Sequence, residues 1–382
     1  MSSISFEEVP NATRVPGMYI EIDNSLANSA EEQQIVLVIG AALTGAATPA
    51  NTVKLCMDET KAKALFSTDE VQSDIELMVE YFRKQDKMMS IYAISATDVE
   101  GIKPALEALG DKQYHHIICT FNDEANIKEM EEFLEERYKA MEQIPGLAYI
   151  PKQGNLEDLK TFGTKSNCPL INFMAINELR TAAKEPLSAA AAIGAWVGQI
   201  APSLANDPCR PLQTLKLNGV YSKADREFNQ AERNLLLHNG MSTYTVTAAQ
   251  DVLVERPITA YTNVNGITDN SYLDIMTPAT AMYIRQKQRS QILSKYGRHK
   301  IAKNGTRFAP GQVIVTPNMF KSELLSLYRD LEYKGIVQDF DGYKQSLIVE
   351  LDSTNKQRIN YQDSPQFVNG LIIVAGKMQF RK

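Results

Sequence analysis

The chain has 382 residues, a formal charge of -6, 44% apolar and 23% charged residues. That length is long for one core, so two or three domains are expected. The composition is that of an ordinary globular protein. No run reaches the ~18–20 apolar residues of a membrane span, and the opening MSSISFEEVP carries acids and no apolar signal core.

RVPGMYIEID (residues 14–23) reads as a short strand behind a Pro-Gly turn. Met18, Ile20 and Ile22 fall on one face; Tyr19, Glu21 and Asp23 fall on the other. A lone strand needs a partner for its backbone groups. The linker NSLANSAEEQQ that follows reaches up to ~36 Å when extended.

From residue 35, short apolar runs alternate with helix-period segments. IVLVIG (35–40), VKLC (53–56), MMSIYAI (88–94), HHIICTF (115–121), LAYIP (147–151) and CPLINFM (168–174) read as strands. TDEVQSDIELMVEYFRKQD puts Val71, Ile75, Met78, Val79 and Phe82 on one helical stripe, with Thr68 or Asp69 as the start. DVEGIKPALEALG is a helix ending at Gly110. NDEANIKEMEEFLEERYKAM carries Ile127, Met130, Phe133, Leu134 and Tyr138 on one face and acids, Glu131 and Glu132 among them, on the solvated one. PLSAAAAIGAWVGQIA (186–201) is a buried helix, and ERNLLLHNG one closed by Gly240 in a left-handed cap. Continuous apolar strands alternating with helices indicate an α/β fold, a mostly parallel sheet flanked by helices.

Near residue 260 the pattern changes. NSYLDIMTPATAMYIRQKQRSQILSKYG (270–297) is a long helix in which Pro278 marks a candidate interruption. TPNMFKSELLSLYRDLEYKG (316–335) is another, with Thr316 as cap and Pro317 in first position. SLIVEL and QRINYQ alternate with period two around DSTNK, and NGLIIVAGKMQF (369–380) follows. This is a smaller α+β unit.

Catalytic signatures are missing. GAALTGAAT (40–48) has the glycine spacing of a phosphate loop, but Ala46 and Ala47 stand where the Lys and the hydroxyl belong. His115 and His116 open a strand and point to opposite faces, so they cannot share a metal; His238 and His299 have no ligand at metal spacing. HNGMSTY (238–244) lacks the G-x-S-x-G elbow and reads as a turn. Cys56, Cys119, Cys168 and Cys209 have no C-x-x-C spacing and read as free buried thiols of a reducing compartment. No catalytic, metal or cofactor residue is assigned.

Charge is segregated. Residues 275–322 hold no Asp or Glu but contain Arg285, Lys287, Arg289, Lys295, Arg298, Lys300, Lys303, Arg307 and Lys321, whereas 123–142 is acid-dominated. No nucleic-acid signature accompanies the basic window, and an acidic protein partner needs none.

Three regions carry a family likeness: ISFEEVPNATRVPGMYIEIDNS at the start; ERNLLLHNGMSTY with VERPITAYTNVNGITDNSYLDI in the middle; PNMFKSELLSLYRDLEYKGIVQDFDGY and NGLIIVAGKMQF at the end. In this order, across almost the whole length, the chain resembles contractile-tail sheath proteins of the Mu-like bacteriophage type. The resemblance implies an N-terminal arm and linker (1–34), an α/β sheath body (35–262) of the kind called subtilisin-like, a C-terminal α+β domain (263–366) and a C-terminal arm (367–382).

It also implies a structural protein rather than an enzyme. Such subunits form hexameric rings stacked helically around an inner tail tube, and contraction drives the tube through the target envelope. The implied partners are further copies, the inner tube protein, and baseplate and tail terminator proteins; neither nucleic acid nor membrane insertion is implied. The implied location is the virion tail, assembled in the bacterial host cytoplasm. Met18, Tyr19, Ile20, Glu21 and Ile22 in one arm, and Leu371, Ile372, Ile373 and Val374 in the other, are expected to add strands to neighbouring subunits. Arg285, Lys287, Arg289 and Lys295 are expected to face the tube. The competing expectation is a soluble α/β enzyme or ligand-binding protein with an unrecognised site.

Overall fold

A computed structural model describes residues 33–223 and 227–381. The strand expected at residues 18–22 lies outside the described residues. The first half of the described chain runs β1 (Ile35–Ala41), β2 (Lys54–Leu55), α1 (Glu59–Phe66), α2 (Asp74–Arg83), β3 (Ser90–Ala96), α3 (Lys103–Glu107), β4 (His116–Cys119), α4 (Glu124–Tyr138), β5 (Leu147–Gln153), α5 (Leu156–Gly163), β6 (Ile171–Ile176) and β7 (Leu179–Arg180). Next come α6 (Ala189–Asn206), β8 (Lys216–Ser222), α7 (Gln230–His238), β9 (Met241–Val246), β10 (Asp251–Arg256), β11 (Asn263–Val264), β12 (Ile267–Thr268) and α8 (Met276–Tyr296). The last part holds β13 (Lys300–Ile301), β14 (Ile314–Val315), α9 (Pro317–Tyr333), β15 (Val337–Gln338), α10 (Phe340–Ser346), β16 (Ile348–Leu351), β17 (Ile359–Gln362) and β18 (Gln366–Phe367).

Ten strands form one sheet in the order β2-β3-β1-β4-β5-β6-β9-β10-β8-β7. The six from β3 to β9 are parallel, while β2 at one edge and β10, β8 and β7 at the other each pair antiparallel with their neighbours. The sheet is thus mostly parallel, as expected, with an antiparallel flank. The cause is local: β9 and β10 are joined by the tight turn at Thr247–Gln250, and a short turn can only return the chain antiparallel. The parallel centre is apolar on both faces, as in β1, where Val36 to Ile39 are all fully buried.

α6 covers the sheet and is buried along most of its length, with Ser188 capping its first turn. Its glycines let α2 approach closely. A Cβ at Gly194 would lie 2.8 Å from Met78 Cα, and one at Gly198 would lie 2.9 Å from the Phe82 carbonyl.

Two expected boundaries move. α2 starts at Asp74, and Val71 lies outside it, 50% exposed. Ser73 takes the cap because its hydroxyl accepts from Glu76 N at 3.1 Å and is held at 3.0 Å by Ser67 Oγ. Pro278 does not interrupt α8. It sits in the first turn, where the missing N–H has no intrahelical partner to lose.

The two halves of the sheet meet where β6 pairs with β9 through only Phe173↔Met241 and Met174↔Ser242. A buried polar network reinforces this seam. Asn172 Nδ2 donates to Ser242 Oγ (2.7 Å) and the Ile258 carbonyl (2.6 Å), and its Oδ1 accepts from Trp196 Nε1 (3.1 Å). Ser242 Oγ in turn accepts from Ile258 N at 2.9 Å. The network joins β6, β9, α6 and the segment after β10.

A second core is built on α9, with Phe320, Leu324, Leu327, Tyr328 and Leu331 packed against Ile284 of α8, Tyr343 of α10 and Cys209. Tyr328 and Tyr343 stack with ring centroids 3.7 Å apart. α8 serves both cores: Met276 is buried in the first and Ile284 in the second.

Asn172→Ala leaves the Trp196 indole N–H and part of the Ser242–Ile258 cluster without a buried partner. It is expected to lower unfolding stability by ~2–4 kcal/mol, read as the urea midpoint. Gly194→Ala is expected to cost ~1–3 kcal/mol by forcing α2 and α6 apart.

Candidate interaction surfaces

The residues that could carry chemistry are occupied structurally. His116 is buried; its Nε2 lies 2.7 Å from Gln34 Oε1 and its Nδ1 2.9 Å from the Tyr149 hydroxyl. Burial, helped by nearby His115, pushes this imidazole down to about 3, so it is neutral at physiological pH. Ser242 is inside the seam network, while His238 is on the surface at the end of α7. Glu131 is half-buried against Ser166 Oγ, rather than on a solvated face as its spacing suggested. All four cysteines are free and buried. Burial pushes the Cys56 thiol up to about 11 and those of Cys119 and Cys168 up to about 12, which suppresses the nucleophilic thiolate. Among the described residues no group of three His, Cys, Asp or Glu could hold a metal. No described helix is long and apolar enough to cross a membrane.

Arg285 Nη1 donates to the Tyr138 carbonyl at 2.7 Å, and its guanidinium lies 4.5 Å from the centre of the Tyr138 ring. Lys295 pairs with Glu323 of α9 at 2.5 Å, where Gln291 (2.6 Å) and Tyr296 (3.3 Å) also donate to that carboxylate. Lys287 Nζ lies 5.1 Å from the centre of the Tyr283 ring. Arg289 is exposed and lines a cavity together with Arg285. Thus the structure does not gather the four expected cations on one free face. Two of them tie α8 to α4 and to α9. Further exposed cations of the acid-free window lie at Arg298, Lys300, Lys303 and Arg307 in the connections around β13.

The C-terminal segment after β18 contains no strand. Gly370 packs on Pro211, Gln213 Nε2 donates to the Leu371 carbonyl at 3.2 Å, and Ile372 touches the first core. Leu371, Ile373 and Val374 are 69%, 76% and 81% exposed. Among the described residues, those expected as a strand thus form an apolar tail lying on the body rather than a paired strand. Nearby in sequence, β16 and β17 form a two-stranded antiparallel sheet over α9, from Ile348↔Gln362 to Leu351↔Ile359. Among the described residues both outer edges of this hairpin are open.

Residues 93–260 match the model of the phage tail sheath protein central domain, and residues 268–381 match that of the phage tail sheath C-terminal domain. The chain belongs to the phage tail sheath family. A Mu-like prophage FluMu tail sheath protein of Haemophilus influenzae is 38% identical over 277 residues, which are 72% of this chain and 56% of that relative. The chain thus spans little more than half the length of the curated sheath protein it matches. Solved sheath proteins share the fold at low identity. One from Desulfitobacterium hafniense has a TM-score of 0.58 and 12% identity, covering 92% of this chain and all of that one. The contracted helical sheath of the anti-feeding prophage gives 0.59 and 13%, covering 96% and 99%. The contracted sheath of an extracellular contractile injection system gives 0.62 and 9%, covering 97% and 98%.

Within this sheath fold, the polar contacts of α8 were not legible from sequence spacing. Glu323 lies 28 residues from Lys295, and Tyr138 lies 147 from Arg285. Only the acid-free run between Asp274 and Glu323 pointed to them, since those two flanking acids are the ones that pair, with Arg256 and Lys295.

Burial alone would raise the Glu323 carboxyl, but the hydrogen bonds from Lys295 and Gln291 outweigh it and hold the group below 4.5. A depressed folded value means the contribution is fully present above 4.5 and is lost as pH falls through the lower folded value. Glu323→Gln is therefore expected to be less stable than wild type at neutral pH. The gap should narrow on acidification below about pH 4 in parallel thermal melts.

Proposed function

We propose that the chain is the structural subunit of a contractile tail sheath. Copies stack helically as hexameric rings around an inner tail tube and contract to drive the tube through the target cell envelope. The role is mechanical, without catalysis, and the site of action is the virion tail, assembled in the host cytoplasm. The two sheath-domain matches and the relative at 38% identity support the family basis of this reading. The observation that carries it to a mechanism is an exposed apolar tail in a chain that also presents a two-stranded hairpin whose outer edges are both open among the described residues. A two-stranded sheet is marginal by itself, and an exposed apolar strand needs cover.

The proposed organisation keeps an arm at 1–34, a body at 35–262, a smaller unit at 263–366 and a tail from 367. Met18–Ile22 of one neighbour and Leu371–Val374 of another add to the two edges of β16–β17, turning two strands into four. Main-chain bonds supply affinity, and alternate side chains set register. Ring packings that differ by a few kcal/mol per subunit then suffice for contraction, because the arms preserve connectivity while bodies reorient. The tube contact must release, which suits exposed charges worth ~0–1 kcal/mol each. With Arg285 and Lys295 engaged inside the subunit, the contact to an acidic tube falls to Arg298, Lys303 and Arg307. Baseplate and terminator proteins are the remaining proposed partners.

Removing residues 1–22, or introducing Leu371→Pro with Ile373→Pro, is expected to leave folded soluble subunits that form no tubes or rings in negative stain. Tubes of normal appearance from the proline variant would refute strand addition by the tail. Reversing the charge of Arg298, Lys303 and Arg307 together is expected to weaken co-assembly with the tube while leaving the unfolding midpoint unchanged; unchanged co-assembly would exclude this loop from the contact.

A further inference from the structure

After β18 the chain crosses from one core to the other. Val337↔Phe367 and Gln338↔Gln366 pair, and Val368 N donates to the Ile336 carbonyl at 3.1 Å, all within the second core. Four residues later Ile372 packs against the first core. Between them Gly370 runs over Pro211, and Gln213 Nε2 donates to the Leu371 carbonyl at 3.2 Å. A cavity of about 510 Å3 lies along the crossing, lined by Asp274 and Thr277 at the start of α8 and by Val368 and Asn369. The crossing is therefore held at its far end rather than along its length. Of residues 371–381, only Ile372 is not exposed.

That hold is small. It consists of one half-buried isoleucine, one neutral hydrogen bond and the contact of a glycine with a proline. A neutral hydrogen bond contributes little net, and a half-buried side chain less than a fully buried one. Strand addition along residues 371–374 would lift Ile372 off the body and exchange the Gln213 bond for a ladder of main-chain bonds. The two placements of these residues exclude each other, so the presence of a neighbour sets the balance between them.

We propose that residues 370–372 form a releasable strap. Closed on its own body in the free subunit, it withholds the tail; a second copy opens it by offering a hairpin edge. The strap rests on the reading that residues 371–374 add to another subunit. Its consequence is that free subunits keep the root of an apolar tail docked and commit it only at a growing polymer.

A covalent lock on the full-length protein tests this. A Cβ at Gly370 would lie 3.6 Å from Pro211 Cβ. A disulfide needs Cβ atoms about 3.5–4.5 Å apart. Pro211→Cys with Gly370→Cys also removes the proline ring atoms that would crowd a side chain at position 370. This pair is expected to form an intrachain disulfide on mild oxidation, read as a linked peptide by mass spectrometry. The native cysteines are free and buried, so wild type gives the background. The oxidised variant is expected to stay as soluble subunits in light scattering and negative stain, and dithiothreitol to restore polymer. A second variant leaves the tail unaltered. Gln213→Ala removes the bond to Leu371 and is expected to raise the initial polymerisation rate roughly fivefold, the weight of one neutral hydrogen bond in the ratio of open to closed strap.

Polymer forming equally well from the oxidised and reduced lock would overturn the strap. So would a disulfide between chains, which would seat the tail root on a neighbour, or no disulfide at all, which would show the strap open in solution. An unchanged or lower rate in Gln213→Ala has the same consequence. In each of these cases wild-type polymer is present and the sheath reading stands. Wild-type protein that forms no polymer refutes the sheath reading itself, and the strap with it.

Discussion

A ten-stranded sheet is joined at its middle by two residue pairs, and a single buried asparagine holds that junction closed. Asn172 is fully buried and uses both ends of its amide, on Trp196, Ser242 and Ile258. A polar group in that position is tolerated only because each of these bonds is made. The next constraint builds on it. Ala260 N reaches the Ile171 carbonyl at 2.7 Å, so the segment leaving β10 is bound to the base of β6. Arg256 then grips Asp274 through two bonds of 2.8 and 3.0 Å, just before α8 starts. The position of α8, and with it the second core, descends from the seam.

α8 explains how two cores act as one subunit. Its first turn is buried with the body and its middle with α9. Its polar side chains then tie it sideways, Arg285 to the end of α4 and Lys295 to Glu323. Two of the four cations that read as a binding face in one dimension are therefore fastening groups in three. Also exposed is the loop around β13, where no acid within the window competes for Arg298, Lys303 or Arg307.

The surfaces left open have a common chemistry. β2 ends the large sheet with only two residues, an edge too short to recruit another strand. The hairpin β16–β17 is treated differently, since among the described residues it stays open on both sides with Ile348 and Tyr361 exposed. The tail leaves Leu371, Ile373 and Val374 in solvent while Ile372 touches the body. The tail therefore rests on the body around residues 370–372, and its next two apolar residues face solvent.

The sequence by itself determined the elements whose signals are local. The apolar runs became β1, β3, β4, β5 and β6; Thr316 caps its helix; the hairpin folds around residues 352–356. These follow from side-chain period and cap chemistry, which act within a few residues. Capping competition was less legible: Ser73 displaced Thr68 and Asp69 because Ser67 supports it across six residues. The family was legible too, through blocks of sequence retained in order. Only the tertiary structure decided the antiparallel flank of the sheet, the seam at Asn172, and the partners of Arg285, Lys295 and Glu323. Each depends on groups brought together from tens of residues away, and a one-dimensional period carries no information about which distant carbonyl or carboxylate a buried polar group will meet.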